Sequence, residues 1–374
     1  MDFDFSEDQI LLRESVRALC RKAQSLPALR RAEAAGKGYA PEIWNALGEA
    51  GFCGIFISGE DGGIALDQVG AAVLYEELGR GLACSPHFVS AYLAARLIGT
   101  CGDAALRRRW LPALASGTCI ATIAIDEPGR STTPSGIRAE ARLHADQRVI
   151  DGIKHLVPFA SDADLIIVIA RDIEGCPAGF LLDPRGPGVT ISPQPSLGND
   201  GLCEIRMEAA PVQGSLAGGT FWSTWESVLD QGGMLQAAFA AGAAQAVQEM
   251  SVNYAKEREQ FGKPIGAFQA IAHYLAEMAT EVDAARSFAY YAAWQADTGI
   301  DNAQAANQAK LFNTAVLRKA SAVSIQVHGG FGFTLEADPQ LFFRRAKHLQ
   351  LFNGDPATLE DRIAERMFGP LETP

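Results

Sequence analysis

The sequence predicts an α+β chain in three consecutive parts: an N-terminal helical domain, a middle antiparallel β-barrel or sandwich domain, and a C-terminal helical domain. Three observations carry this. Apolar residues recur at helical spacing up to about Gly117. Short β-rich runs broken by Gly, Pro and Asp follow. From about Trp222 the chain is helical again and rich in alanine. The expected boundaries are therefore 1–117, 118–222 and 223–374. Helices, then strands, then helices, without βα alternation, exclude a Rossmann fold.

Ser6 and Gln9 stand at capping-box spacing ahead of Leu12, Val16 and Leu19, which opens the first helix. Pro41 suits the first turn of another, with Ile43, Trp44 and Leu47 on its apolar face and Gly51 near its end. LDQVGAAVLYEELGRG and FVSAYLAARLIGTCG repeat the pattern, each closing on glycine, and DAALRRRWLPALASG ends the helical part. Ile137, Ala139, Ala141 and Leu143 then alternate with polar residues, as in a half-buried strand. RVIDGIK, LIIVIAR, GFLLD, GVTIS and CEIRMEA continue the β part. The longest helical stretch after it is MLQAAFAAGAAQAVQEMSVNYAKER.

At 374 residues, 48% hydrophobic and 20% charged, the chain has the composition of a folded protein with a sizeable core. Its net charge of −12 argues against nucleic acid as a partner, because the phosphate backbone rewards basic surface. The seven cysteines are scattered, odd in number and form no C-x-x-C pair, so reduced thiols are expected rather than a metal or disulfide framework. The six histidines show no metal-ligand spacing. MDFDFSEDQ is acidic where a signal peptide is basic, and no apolar run reaches membrane-span length. A soluble cytoplasmic protein is expected.

The most informative segment runs from Tyr254 to Gly299. It contains an R-x-x-FG-x-PI-x-x-FQ run followed by L-A-E-M. QVHGGFGFTLE from Gln326 to Glu336 and IDEPG from Ile125 to Gly129 add two further motifs. In these motifs, in their order and over essentially its whole length, the chain resembles the acyl-CoA dehydrogenase family. That resemblance implies a C-terminal four-helix bundle, bound FAD and an acyl-CoA thioester substrate. It also implies an electron-transfer flavoprotein or similar acceptor, and an assembly in which one subunit touches the adenine and pyrophosphate of its neighbour's FAD. By motif position the residues lent in this way are Arg258, Phe261, Gln269, Gln326, Gly329 and Gly330. A guanidinium suits pyrophosphate, amides suit polar edges, and glycines allow close backbone approach. Each also has a plain structural reading: an Arg after a helix can cap it, and Gly-Gly can simply end one.

Other positions depart from the family pattern. The family's chemistry needs a carboxylate to take the α-proton of the thioester, within hydrogen-bond reach of that carbon. Aligned from Arg345-Ala346-Lys347, the base position holds Asn353, followed by Gly354. The alternative base position, about 26 residues before Arg258, falls on Gly232. An amide does not accept a proton at neutral pH, and glycine has no side chain. Where many members have Thr before Glu-Pro, donating toward the flavin, this chain has Asp126. Where they have W-x-T, it has Leu156-Val157-Pro158, unless the alignment slips by a residue or backbone donors compensate.

Departures of this kind, together with the FSEDQ start and the LFNGD turn, are similar to those in heteromeric acyl-CoA dehydrogenases, steroid side-chain enzymes among them. There a paralogous subunit carries the base and each heterodimer holds one FAD. Two other readings stand beside this one: an acyl-CoA-binding flavoprotein with a different elimination chemistry, and a non-catalytic acyl-CoA-binding homo-oligomer. Of the remaining polar residues, Asp355 is expected to cap a turn, Glu360 and Asp361 to lie on an exposed helix face, and His328 to be packed. Arg107 to Arg109 read as a solvated helix face.

Overall fold

The capping box forms as its spacing requires. In a computed structural model, which describes residues 4–129, 133–145, 147–216 and 220–369, Ser6 Oγ accepts from Gln9 N and Gln9 Oε1 accepts from Ser6 N. The first three residues of the acidic N-terminal run lie outside the described residues. The box opens α1 (Glu7–Ala23), and α2 (Leu26–Ala34) follows. Pro41 begins α3 (Pro41–Glu49), which buries Ile43, Trp44 and Leu47. Asp67 caps α4 (Gln68–Arg80) by accepting from Gly70 N at 2.6 Å. The FVSAYLAARLIGTCG segment departs from a regular α-helix, since Phe88–Ala94 is π-helical and only Ala95–Cys101 is α5. Asp103 then caps α6 (Ala104–Ala115).

The β part contains β1 (Ala121–Ala124), β2 (Glu140–His144), β3 (Gln147–Pro158) and β4 (Leu165–Arg171). It continues with β5 (Pro177–Leu182), β6 (Val189–Pro193), β7 (Leu202–Pro211) and β8 (Gly214–Leu216). They form one sheet in the order β6-β7-β3-β2-β4-β5-β8, with β1 beside β4. The expected antiparallel pairing holds for most of its ladders. It fails for β1 with β4, which run parallel from Ala121↔Leu165 to Ala124↔Val168, and for a single β2–β4 bridge. The hairpin of β2 and β3 separates β1 from β4, so β4 re-enters in the direction of β1 and the sheet is mixed. Ile150, Ile166, Val168, Phe180 and Ile205 form its core. The alternation predicted from Ile137 holds at Ile137, Ala139 and Ala141, which are buried with exposed residues between them, and fails only at Leu143, which is exposed near the end of β2.

The remainder is helical apart from a small hairpin: α7 (Phe221–Glu257), α8 (Gln269–Asp297), α9 (Ala303–His328), α10 (Pro339–Leu351) and α11 (Pro356–Phe368). Helix α9 packs against α8, α10 and α11. The chain separates into two compact units. One holds α1, α4 and everything from Asp230 onward; the other holds Pro27–Leu66 and Cys84–Leu229. In the first, the adjacent Glu76 and Glu77 of α4 are both buried. Glu77 accepts from Arg17 of α1 at 2.6 and 2.8 Å, and Glu76 accepts from Arg286 and Tyr290 of α8. These bonds tie α4 to both neighbours.

The second unit has its own buried charge. Lys154 of β3 is 0% exposed and donates to Glu127 Oε1 at 2.6 Å and to Ile125 O at 3.0 Å. Glu127 also accepts from the N–H groups of Arg138 and Ala139 at 2.8 and 3.0 Å. Burial pushes its carboxyl up, but Lys154 and the two N–H groups outweigh burial and hold it below the usual carboxylate range. Removing one partner of such a pair strands the other charge. Lys154→Met is therefore expected to cost about 3–5 kcal/mol in urea unfolding. A loss below about 1 kcal/mol would show that the pair does not hold this corner of the sheet.

Candidate active site

The residues singled out by sequence fall into three places, two in the first unit and one in the second. The first place is where α7 ends. Arg258 N donates to Tyr254 O and Ile265 N donates to Arg258 O, both at 2.8 Å, so the backbone there is fixed. The Arg258 side chain is exposed and makes no hydrogen bond or ion pair among the described residues, so it does not cap the helix. β9 (Glu259–Gln260) and β10 (Lys263–Pro264) follow as a two-residue hairpin. Its turn residues Phe261 and Gly262 have φ of +53° and +78°, the signs a type I′ turn requires. Glycine adopts that conformation freely, whereas Phe261 is strained in it and is nonetheless 93% exposed. Lys263 Nζ lies 4.3 Å from the ring of Phe268, and Gln269 opens α8 with its side chain exposed.

Tyr254 stacks on His328 with ring centroids 4.1 Å apart, which brings the ends of α7 and α9 together. His328 is packed as expected: it is buried, its Nδ1 is 2.8 Å from Ser324 O, and burial lowers its pKa. Gln326, Gly329 and Gly330 lie on the exposed side. Gly329 ends α9 with φ +64°. A Cβ at either glycine would meet nothing within 4 Å among the described residues, so packing against them does not explain Gly330. An uncommitted guanidinium, exposed amides and open glycine backbone stand at the ends of α7 and α9 and the start of α8. That donor set fits the pyrophosphate and adenine half of FAD.

The second place is the turn between α10 and α11. Asn353 has φ +58° and Gly354 φ +115°. Three consecutive carbonyls, those of Phe352, Asn353 and Gly354, accept from Lys310 Nζ at 2.7, 2.9 and 3.2 Å. Asn353 Nδ2 is buried without a hydrogen-bond partner among the described residues. Asp355 is the N-cap of α11 and accepts from Thr358 N at 2.9 Å, so it is the cap expected of it. Glu360 and Asp361 are exposed, as are Arg107 to Arg109 on α6. Gly232 is buried within α7. The nearest carboxylate in sequence, Asp230, is buried and accepts from Asn307 at 2.9 Å and from Arg366 at 2.6 Å. Neither expected base position presents a carboxylate.

The third place lies in the sheet unit, where β1 leads into IDEPG beside β3. His155 N donates to Asp126 O at 2.8 Å, and Thr122 Oγ donates to Pro158 O at 2.6 Å. These bonds set Asp126 alongside Leu156-Val157-Pro158. The backbone donors of the segment are occupied: Leu156 N reaches Gln194 Oε1 at 2.7 Å and Phe159 N reaches Gly201 O at 2.8 Å. Pro158 has no N–H. With a half-buried carboxylate at 126 and no donor left at 155, 156, 158 or 159, this edge does not fit the oxygen- and nitrogen-rich rim of a flavin ring.

Sequence reasoning missed both buried lysines. Lys310 was detectable, because it falls on the stripe 306, 310, 313, 317, 320 and 324 that α9 buries. Lys154 was not, because β3 pairs on both sides and periodicity alone does not reveal a charge that is satisfied inside. Among the described residues no cluster of His, Cys, Asp or Glu could hold a metal ion, and no helix is long and apolar enough to cross a membrane.

Comparisons with known proteins identify the family and the fold. The family profile described as acyl-CoA dehydrogenase, N-terminal domain, matches residues 6–118, and acyl-CoA dehydrogenase, C-terminal domain, matches 222–368. The chain is 32% identical over 372 residues to "Probable acyl-CoA dehydrogenase YngJ" of Bacillus subtilis, covering 95% of this chain and 96% of that one. The structure of glutaryl-coenzyme A dehydrogenase with glutaryl-CoA superposes with a TM-score of 0.92 at 27% identity, over 99% and 98% of the two chains. A variant of the Tcur3481–Tcur3483 steroid ACAD superposes with a TM-score of 0.84 at 26% identity, over 96% and 98%. With its fold, its motif order and these matches in agreement, the chain belongs to the acyl-CoA dehydrogenase family.

Proposed function

We propose that this chain is the base-lacking subunit of a heteromeric, FAD-dependent acyl-CoA dehydrogenase, acting in lipid or steroid catabolism in the cytoplasm. The observation that carries the reading is Asn353 at the base position, with Gly232 at the alternative one. A paralogous subunit supplies the carboxylate that takes the α-proton. FAD, held at its pyrophosphate end by Arg258, would supply hydride-accepting chemistry at the β-carbon, with an electron-transfer flavoprotein or similar acceptor as the partner that takes the electrons. This chain's own part is to bind and orient. Arg258 neutralises pyrophosphate charge, Phe261 offers an exposed aromatic face to the adenine end, and Gln269 and Gln326 supply amides. Gly329 and Gly330 let the backbone come close.

The same reading accounts for the flavin-ring edge in the sheet unit. A chain that lends its helical half to a neighbour's FAD has no need of donors at Asp126 and Pro158. The paired chains of the Tcur3481–Tcur3483 steroid ACAD provide a precedent for a two-subunit arrangement.

The reading is tested in the complex of this chain with its paralogue. Arg258→Ala is expected to weaken FAD retention about 10- to 100-fold, the worth of a charge-assisted contact, as read by flavin released on dilution. Unchanged retention would remove Arg258 from the site and with it the lent half. Phe261→Gly is a companion variant. Because the ring is exposed and the backbone left-handed, the stability of the chain is expected to hold or to rise by about 1 kcal/mol in chemical denaturation, while FAD retention falls. A fall of more than about 1 kcal/mol would show that the ring packs within its own chain.

A further inference from the structure

We propose that Lys310 is a positioning residue for the turn at the family's base position: its ammonium holds three consecutive carbonyls, and loss of one proton lets the turn open. Only the statement that this turn borders the acyl group rests on the functional reading above.

The geometry is unusual for a lysine. Lys310 is 1% exposed, and its Nζ lies 2.7, 2.9 and 3.2 Å from the carbonyl oxygens of Phe352, Asn353 and Gly354. An ammonium has three N–H groups, and here each has an acceptor. The turn runs through the left-handed region at two successive residues, Asn353, a type that tolerates it, and Gly354, so its carbonyls have no helical partners and are open to the ammonium. Its own side chain does not hold the turn, since Asn353 Nδ2 has no hydrogen-bond partner among the described residues. A neutral amine has two N–H groups and a lone pair. Deprotonation therefore removes one of the three bonds and turns a lone pair toward a carbonyl oxygen.

The charges around Lys310 allow that change near neutrality. Burial pulls the ammonium's pKa down, Arg362 of α11 lowers it further and Asp355 opposes both, with the result at about 7. Asp230 of α7 is engaged by Arg366 of α11 and Asn307 of α9 and lies 3.8 Å from Arg362, so it offsets those cations rather than Lys310. The sign of the global effect matters for the test. A lysine whose folded value lies below its ordinary 10.5 is costly to bury at low pH, and that cost falls as pH rises from about 7 to 10.5, so global stability rises with pH over this range. Any loosening of the turn above neutrality is then local and not the result of unfolding.

The test is amide hydrogen exchange read by mass spectrometry on peptides spanning 352–359 in the full chain, corrected for intrinsic exchange, at about pH 6 and about pH 8.5. In the wild-type protein corrected exchange is expected to rise about tenfold with pH, the effect of one hydrogen bond from a charged donor. Peptides from β4 should not change. Lys310→Met should exchange fast at both pH values, and Lys310→Arg, charged at both, should stay slow. Corrected exchange that is flat with pH in the wild-type chain overturns the proposal, and that comparison stands even if a variant does not fold. Calorimetry with octanoyl-CoA on the same samples separates the two claims. If exchange responds to pH but octanoyl-CoA affinity does not follow, the lysine clamp stands and the placement of this turn beside the acyl group falls.

Discussion

An ammonium removed from water has to find its acceptors in the protein, and that constraint organises both places where this chain departs from its family. Lys154 meets it with Glu127 and the carbonyl of Ile125, which fixes the exit of β1 beside β3. Lys310 meets it with three carbonyls of the turn after α10. In each case the buried cation holds the backbone in place whatever side chains that backbone displays. On the proposed reading, this is how Asp126 and Pro158 stand in for a hydroxyl-bearing pattern, and Asn353 for a carboxylate, without loss of the fold around them. The scaffold of the site is separable from its chemistry.

The opposite logic applies at the end of α7. There the residues that match the family make few commitments among the described residues: a guanidinium on Arg258 with no hydrogen bond or ion pair, an aromatic ring projected by a strained hairpin, and glycines facing open space. Strain at Phe261 and the absence of packing at Gly330 are costs without an internal return. They are understandable if the other side of the contact belongs to something outside the chain. The asymmetry between a well-kept exterior set and an altered interior set is the physical content of the proposed subunit role.

Much of this was legible in the sequence. Capping at Ser6 and Gln9, the Pro41 start, and the bounds of LIIVIAR as a strand follow from local rules that tertiary context did not override. The motif residues Arg258, Phe261, Gln269, Gln326, Gly329 and Gly330 all lie exposed in one unit, as residues that face outward would. Three things were not legible. The parallel β1–β4 pairing depends on which strands meet across a hairpin, which spacing does not encode. The π-helical Phe88–Ala94 reads as ordinary amphipathic helix, because the same residues suit both. The possibility that backbone donors compensate for Pro158 could be decided only by seeing that the N–H groups of Leu156 and Phe159 already have acceptors.

The central claim is that catalysis by this chain is borrowed. The measurement that tests it most directly is flavin absorbance per polypeptide and acyl-CoA-dependent ferricenium reduction, for the chain purified alone and co-purified with its paralogue. The account expects a colourless, inert protein alone and one FAD per heterodimer, with turnover, in the pair. A yellow protein that reduces ferricenium by itself at rates equal to those of the pair would contradict it.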